Sequence, residues 1–213
     1  MFITFEGIEG CGKSTQARRL AARLKHLGTA CVFTREPGGT AIGRKIRHIL
    51  LDQEHQDLPP LSELFLYEAD RALHMELVIR PALARKQWVI CDRFFDATTV
   101  YQGYARGQDL EMIRFLNQKA SFGITPDLTL LIDCPVEVGI ARALKRNASL
   151  EDPGQDRFEK ENTAFHAAVR KGYLLMAEKE PDRFVVVDGA LGENELEEII
   201  LDHVRPHLKE SRS

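Results

Sequence analysis

The chain has no apolar run approaching ~20 residues, the length that crosses a bilayer, so no membrane-spanning helix is expected. It lacks the basic-then-apolar opening of a secretory signal. It contains no C-x-x-C pair. Cys11, Cys31, Cys91 and Cys134 stand far apart, three of them in strand-like runs, which argues against a metal knuckle and for buried, reduced thiols in a cytoplasmic protein. Cys11, inside a glycine loop, is the one thiol expected to be reactive. Neither sign of charge dominates: 29 Lys and Arg against 32 Asp and Glu leave a formal net charge of −3, which argues against a general nucleic-acid coat. The seven histidines show no pair spacing suited to a metal and are expected at the surface. Neither an internal repeat nor a linker-like stretch occurs, so the 213 residues, 44% of them hydrophobic, are expected to form a single domain around one core.

What the chain does contain is organised around Gly7-Ile8-Glu9-Gly10-Cys11-Gly12-Lys13-Ser14, which fits G-x-x-x-x-G-K-[ST]. The flanks fit as well. Met1 to Glu6 is a short apolar strand, and Thr15 to Leu27 repeats Ala17, Leu20, Ala21, Leu24 and Leu27 at helical spacing, with Gly28 able to close the helix. Such a loop wraps its backbone N–H groups around phosphate oxygens. Lys13 adds charge near the β- and γ-phosphates, and the Ser14 hydroxyl is placed to hold Mg²⁺. The positive end of the following helix points at the same anion.

Downstream, apolar strands alternate with helices. Thr29–Arg35, Trp88–Cys91, Leu128–Ile132 and Phe184–Val187 read as further strands. A Thr40-capped helix runs through Ile42, Ile46, Ile49 and Leu50. Leu61–Arg85 reads as one long helix that Pro81 kinks or divides. Helices are also expected over Phe94–Ala105, Asp109–Phe122, Pro135–Arg146, Arg157–Glu178 and Glu193–Leu208. Asn147–Asp156, with Pro153-Gly154, is expected to be a mobile loop. This alternation predicts a parallel sheet covered on both faces, with ligands beyond the carboxyl ends of its strands. The loop after strand one, Arg35-Glu36, Asp92-Arg93 and Asp133 all fall at that edge, and one crevice should collect at least the first three.

Four constellations could carry chemistry there. Asp92, at a strand end, can hold Mg²⁺ directly or through water, while Arg93 offers a planar fork to a second phosphate; a surface ion pair is the plain alternative. Tyr67 and Arg71 share a helix face and could stack a base and bond its edge, or simply form an amphipathic helix with a snorkelling arginine. Arg35-Glu36-Pro37-Gly38-Gly39 is a tight turn near the same crevice, or only a connection. Arg142, Lys145, Arg146 and Arg157 surround the 147–156 stretch, as a closing lid with a catalytic arginine would require, or as a solvated helix end.

Together these residues resemble one family, the thymidylate kinases. Phe5 through Gln16 is similar to their phosphate loop, Arg35-Glu36-Pro37-Gly38-Gly39-Thr40 to the turn many bacterial members carry, and Asp92-Arg93-Phe94 with Tyr101-Gln102-Gly103 to their D-R-[YFH]…Y-Q segment. The resemblance runs from Met1 to about Val187. It implies a nucleoside monophosphate kinase fold, a five-stranded parallel sheet with helices on both sides, in a homodimer. It implies that Gly7 to Thr15 and Arg142 bind ATP. Tyr67 would stand where an aromatic ring, usually phenylalanine, stacks on thymine, with Arg71 at the base edge. Arg93 would clamp the dTMP phosphate, with Asp92 beside the metal. Glu9 would lie near the acceptor sugar, and Thr98 and Gln102 would face the base. Glu36, Pro37, Arg47 and Tyr101 would complete the acceptor pocket. Some members carry a catalytic arginine in the loop, where Gly10 stands here. This chain resembles the class whose lid, at about 145–157, supplies it. Arg146 is the first candidate, with Arg142 and Arg157 behind it, although the lid holds fewer arginines than is usual for that class.

The reaction implied is ATP + dTMP → ADP + dTDP. The acceptor phosphate is already an oxyanion near neutral pH, so positioning and charge neutralisation by Lys13, Arg93 and Arg146 should suffice. Two alternatives remain at this point: another small phosphate-loop kinase acting on a different nucleotide, nucleoside or metabolite, and a non-catalytic nucleotide switch or ATP-binding protein. Against the switch, the guanine-recognition N-K-x-D sequence is absent.

Overall fold

The structure, a computed structural model, describes residues 1–55, 57–147 and 157–210. Five strands form one parallel sheet: β1 (Phe2–Glu6), β2 (Cys31–Arg35), β3 (Trp88–Asp92), β4 (Leu128–Asp133) and β5 (Phe184–Asp188), in the order β2-β3-β1-β4-β5. β1 is central. The chain fills the β3–β2 side first and then crosses to β4 and β5, so the direction of winding reverses at β1, where such sheets open a crevice for ligands. The register sets Phe5 beside Asp92, Arg35 beside Asp92 and Glu6 beside Leu131, so the chemistry-bearing strand ends share one level.

Strand alternation divides the interior into two layers. Ile3, Phe5, Trp88, Ile90 and Leu130 enter the larger core, while Phe2, Val89 and Cys91 enter the smaller one with Met75, Ile79, Ala82 and Phe94. α1 (Lys13–His26), whose Ala17, Leu20, Ala21 and Leu24 face inward, belongs to the larger core, and Gly28 adopts φ +81 just beyond its end. α2 (Ala41–Leu51) is capped by Thr40, whose side chain accepts from Gly43 N at 2.9 Å, as its sequence predicts.

The expected long helix is observed in three parts: α3 (Pro60–His74), a wide π turn over Met75–Ile79, and α4 (Arg80–Ala84). Pro81 lacks an N–H for the regular ladder, and the wide turn immediately before it absorbs the misfit. A similar π turn, Thr99–Ala105, follows the short α5 (Phe95–Thr98), and α6 (Leu110–Ala120) and α7 (Val136–Asn147) fall where expected. The helix expected over Arg157–Glu178 is divided. Arg157–Lys160 is a 3-10 turn, and α8 (Thr163–Lys179) begins afresh at Asn162, whose side chain accepts from Phe165 N at 2.8 Å. Asparagine as an N-cap favours a new start over continuation. α9 (Glu193–Glu210) packs on α1, joined by Arg19 to Glu193 and Glu197. Most of the expected mobile loop, 148–156, lies outside the described residues.

Candidate active site

The loop between β1 and α1 is a close-fitting cradle. Lys13 donates from Nζ to Ile8 O at 2.9 Å, which folds its ammonium over the loop. Gly10 has φ +68, and a Cβ there would collide with the backbone of Gly139 on α7. Any side chain, arginine included, is therefore excluded at this position, which accounts for its glycine. Ser14 Oγ donates to Asp92 Oδ2, while Asp92 Oδ1 is buried and has no hydrogen-bond partner among the described residues. An orphaned carboxylate oxygen beside the Ser14 hydroxyl fits a Mg²⁺ ion, which binds through one or two protein groups and completes its shell with phosphates and water.

Across from the loop stands Arg93, a non-glycine residue at φ +71 immediately after β3. Its Nη2 donates to Glu9 Oε1 at 2.9 Å and to the Tyr101 hydroxyl at 3.0 Å, and the guanidinium lies 4.9 Å from the Tyr101 ring centroid. Tyr101 in turn donates to Glu9 Oε1 at 2.6 Å. Burial would raise the Glu9 carboxyl, but Arg93, His166 and Lys13 outweigh it and hold Glu9 well below the usual carboxylate range. Glu9 is thus an anion at any working pH, placed between the phosphate loop and the arginine.

Arg71 is 1% exposed and bonded to four partners: Glu36 at 3.0 Å, Glu68 at 2.8 Å, Asn117 at 2.9 Å and Thr98 at 2.8 Å. Only one Nη2 hydrogen is left among the described residues, so base contact is limited to that single donor. Glu36 also binds His74 Nδ1 at 2.9 Å, and His74 reaches Thr34 Oγ1 at 2.6 Å. Asp70 accepts from Gly38 N at 3.1 and 3.2 Å, and burial together with Glu36 pushes its carboxyl up to about 6. The whole turn after β2 is therefore pinned from α3. Its Glu36–Pro37 peptide is cis.

Arg47 donates to Pro37 O at 3.1 Å and has no carboxylate partner among the described residues. Burial and the neighbouring Arg35 lower its pKa, the mark of a cation placed without its counter-charge. Burial and Glu63 raise the Tyr67 hydroxyl above its ordinary range, so it stays neutral. Gln102 donates to Glu63 Oε1 at 2.8 Å.

Glu9 through Thr15, Glu36, Pro37, Arg47, Tyr67, Arg71, Asp92, Arg93, Thr98, Tyr101, Gln102, Arg142 and Arg146 line one crevice of about 1040 Å³, at the upper end of single-ligand sites and roomy enough for two nucleotides end to end. Of the residues expected to touch ATP, dTMP or metal, Gly7 and Ile8 alone do not line it, and of the arginines and lysine around the lid Arg142 and Arg146 line it while Lys145 and Arg157 do not. At one end Arg142 donates to Gly189 O at 2.8 Å, while Arg146 bonds Asn147 Oδ1 at 3.2 Å and Glu159 at 2.9 Å.

Three expectations are corrected. Arg157 is no lid arginine: it is 5% exposed and bonded to Glu63 at 2.6 Å and Leu50 O at 2.9 Å, because Glu63 is a fully buried carboxylate that needs a counter-charge. His74 and His166 are buried, not at the surface, one in the Glu36 network and the other 3.4 Å from Glu9 Oε2. Cys11 is 1% exposed although its loop borders the crevice, so by exposure it is no more reactive than Cys31, Cys91 and Cys134, which are also buried and free. As expected, the crevice collects the loop after β1, Arg35-Glu36 and Asp92-Arg93; Asp133, at the end of β4, is not in its lining and is bound to Arg170 by two hydrogen bonds of 2.7 Å.

Sequence reasoning passed over Glu63, Glu68, His74, Asn117, Phe158, Glu159 and His166. A signal existed for the α3 group. Glu68 and Arg71 follow Leu64 at spacings of four and three on one stripe, with Glu63 beside it, and charges on an apolar stripe call for partners.

Comparison with known proteins agrees with this geometry. The thymidylate kinase family model matches residues 5–200. A thymidylate kinase of Desulfosudis oleivorans is 56% identical over 193 residues, covering 90% of each chain. That of Trichlorobacter lovleyi is 51% identical over 208 residues, covering 98% of each. The crystal structure of thymidylate kinase from Ehrlichia chaffeensis superposes with a TM-score of 0.76 at 34% identity, covering 96% of this chain and 98% of that one.

Proposed function

The chain belongs to the thymidylate kinase family, and from that premise we propose how its crevice performs the family's reaction. The protein is an ATP-dependent kinase that phosphorylates dTMP to dTDP. The observation that carries the residue-level reading is the opposition, across one crevice, of a phosphate loop and a second cationic wall of Arg47 and Arg93.

ATP lies on Gly7 to Thr15, with Lys13 leaving Ile8 O for the β- and γ-phosphates and Arg142 beside the distal end of the nucleotide. dTMP lies on the opposite side, its base against Tyr67 and within reach of Arg71, Thr98 and Gln102. Its sugar lies near Glu9 and Tyr101, and Glu36 and Pro37 form the floor. Arg93, assisted by Arg47, holds the acceptor phosphate in line with the γ-phosphate. Arg146 turns to the transferred group and neutralises its developing charge. The attacking oxygen is already ionised, so catalysis rests on position and charge rather than on a base. The chemistry that a Mg²⁺ ion would supply, when bound, is neutralisation of charge on the donor phosphates. Ser14 and Asp92 would hold the ion, and Asp92 Oδ1, without a partner among the described residues, supports that assignment.

The remaining parts of the reading rest on coarser support. A single kinase domain over 1–213 with a lid at about 145–157 follows from the sequence pattern. A homodimer is supported by Leu61, Phe65 and Phe115, large apolar side chains that α3 and its neighbour α6 leave exposed. Cytoplasmic residence is supported by four free buried thiols and by the lack, among the described residues, of any helix long and apolar enough to cross a membrane.

The test is ADP release with Mg²⁺–ATP against dTMP, dUMP, AMP, CMP, GMP and thymidine. dTMP should be preferred strongly over all but dUMP, over which one methyl gives only ~1–3 kcal/mol. Equal rates with AMP would overturn the acceptor pocket.

A further inference from the structure

Arg93 occupies a backbone conformation that costs an ordinary residue energy, and a strained residue at a site persists only where its surroundings over-determine it. Two groups outside the crevice lining do so. Glu6, the last residue of β1 and fully buried, accepts from Phe94 N at 2.7 Å through Oε1, which anchors the backbone directly after Arg93. Its other oxygen, Oε2, accepts from the Tyr173 hydroxyl at 2.6 Å. The same hydroxyl accepts from Arg93 Nη1 at 3.3 Å. Tyr173, on α8, is 1% exposed and, like Glu6, does not line the crevice. The two thus close a ring: strand end, carboxyl, phenol, guanidinium, and back through the main chain to the strand end. Glu9 and Tyr101 grip Nη2, and Tyr173 grips Nη1.

We infer that Tyr173, anchored by Glu6, is a positioning residue that aims the Arg93 guanidinium at the acceptor phosphate. This rests on the reading of Arg93 as the dTMP-phosphate clamp. With Tyr173 in place the guanidinium is fixed from both ends before dTMP arrives. Without the hydroxyl, one Nη loses its direction, while the fold keeps the ring and its packing.

The test uses initial rates of the full-length enzyme with Mg²⁺–ATP and dTMP, comparing wild type, Tyr173→Phe, Arg93→Ala and the double variant, with Tm measured for each. Tyr173→Phe should raise the dTMP KM about tenfold, the size of a charge-assisted hydrogen bond, with the ATP KM within about twofold. In the Arg93→Ala background the same change should add nothing further, since Tyr173 acts through Arg93. A dTMP-selective defect in Arg93→Ala with none in Tyr173→Phe overturns the positioning role and leaves the clamp standing. An Arg93→Ala variant whose dTMP and ATP KM values change alike overturns both. A Tyr173→Phe variant with lowered Tm and equal effects on both substrates, or with full additivity in the double variant, marks a structural tyrosine and overturns the inference.

Discussion

Replacing Arg71 with methionine should destabilise the protein severely, and in a pH-dependent way. The guanidinium is 1% exposed and faces two carboxylates that are themselves buried, Glu36 at 4% and Glu68 at 7% exposure. Methionine retains the length and apolar volume but leaves both anions without their partner. Glu36 keeps His74 at 2.9 Å, whereas Glu68 Oε1 has no partner among the described residues even in the intact network. Breaking a buried ion pair from one side costs ~3–5 kcal/mol. In a protein of this length that corresponds to a fall in Tm of roughly 6–20 °C. Burial already raises the Glu68 carboxyl, with Arg71 opposing; removing Arg71 raises it further. A carboxyl whose folded-state pKa is raised holds its proton longer in the native than in the unfolded chain, so stability falls as pH climbs from the ordinary carboxylate range to the raised value. Urea denaturation at pH 5 and pH 8 should therefore show a wider gap between wild type and Arg71→Met at pH 8. Adding Glu68→Gln should recover part of the loss. A deficit below ~1 kcal/mol, or one that pH leaves unchanged, would refute the view of Arg71 as the counter-charge of a buried cluster.

Three further outcomes are expected. Burial and the neighbouring Asp96 push Glu6 up to about 8 from 4.5, so wild-type stability should decline between those pH values, and Glu6→Gln should flatten that slope in a urea series; a wild-type curve no steeper than the variant's would contradict the protonated state. Arg146→Ala should lower kcat by ~10²-fold or more with the dTMP KM little changed and Tm intact, whereas Arg157→Ala should lower Tm by leaving the buried Glu63 with Arg106 as its one arginine among the described residues; the reverse pattern would return the catalytic role to Arg157. Gly10→Ala drives a Cβ into the backbone of Gly139 at a positive φ, and should cost ~1–3 kcal/mol and raise the ATP KM; unchanged thermal unfolding and ATP KM would mean that α7 does not seal the loop.

The sheet was readable because each strand is a short apolar run between turn residues, and the phosphate loop because its glycines and lysine have no cheaper explanation than an anion. Asp92-Arg93 could be placed from their position at a strand end. The paired roles could not be read in the same way. Glu63 and Arg157 are 94 residues apart, and nothing local says that one neutralises the other. Glu6 looks like the polar end of a strand until Phe94 N and the Tyr173 hydroxyl are seen to converge on it. His74 and His166 were misplaced because a buried histidine with a carboxylate neighbour leaves no periodic trace. The division at Asn162 was overlooked because asparagine is tolerated in a helix as well as at its cap.

The central claim is that one crevice has two separately built ends, and calorimetric titration tests it most directly. ATP with Mg²⁺ and dTMP should be titrated separately into wild type, Lys13→Ala and Tyr67→Ala. Lys13→Ala should lose ATP affinity and keep that for dTMP, and Tyr67→Ala should do the converse. If either variant loses both ligands together while remaining folded, the two ends are not independent and the placement of donor and acceptor is wrong.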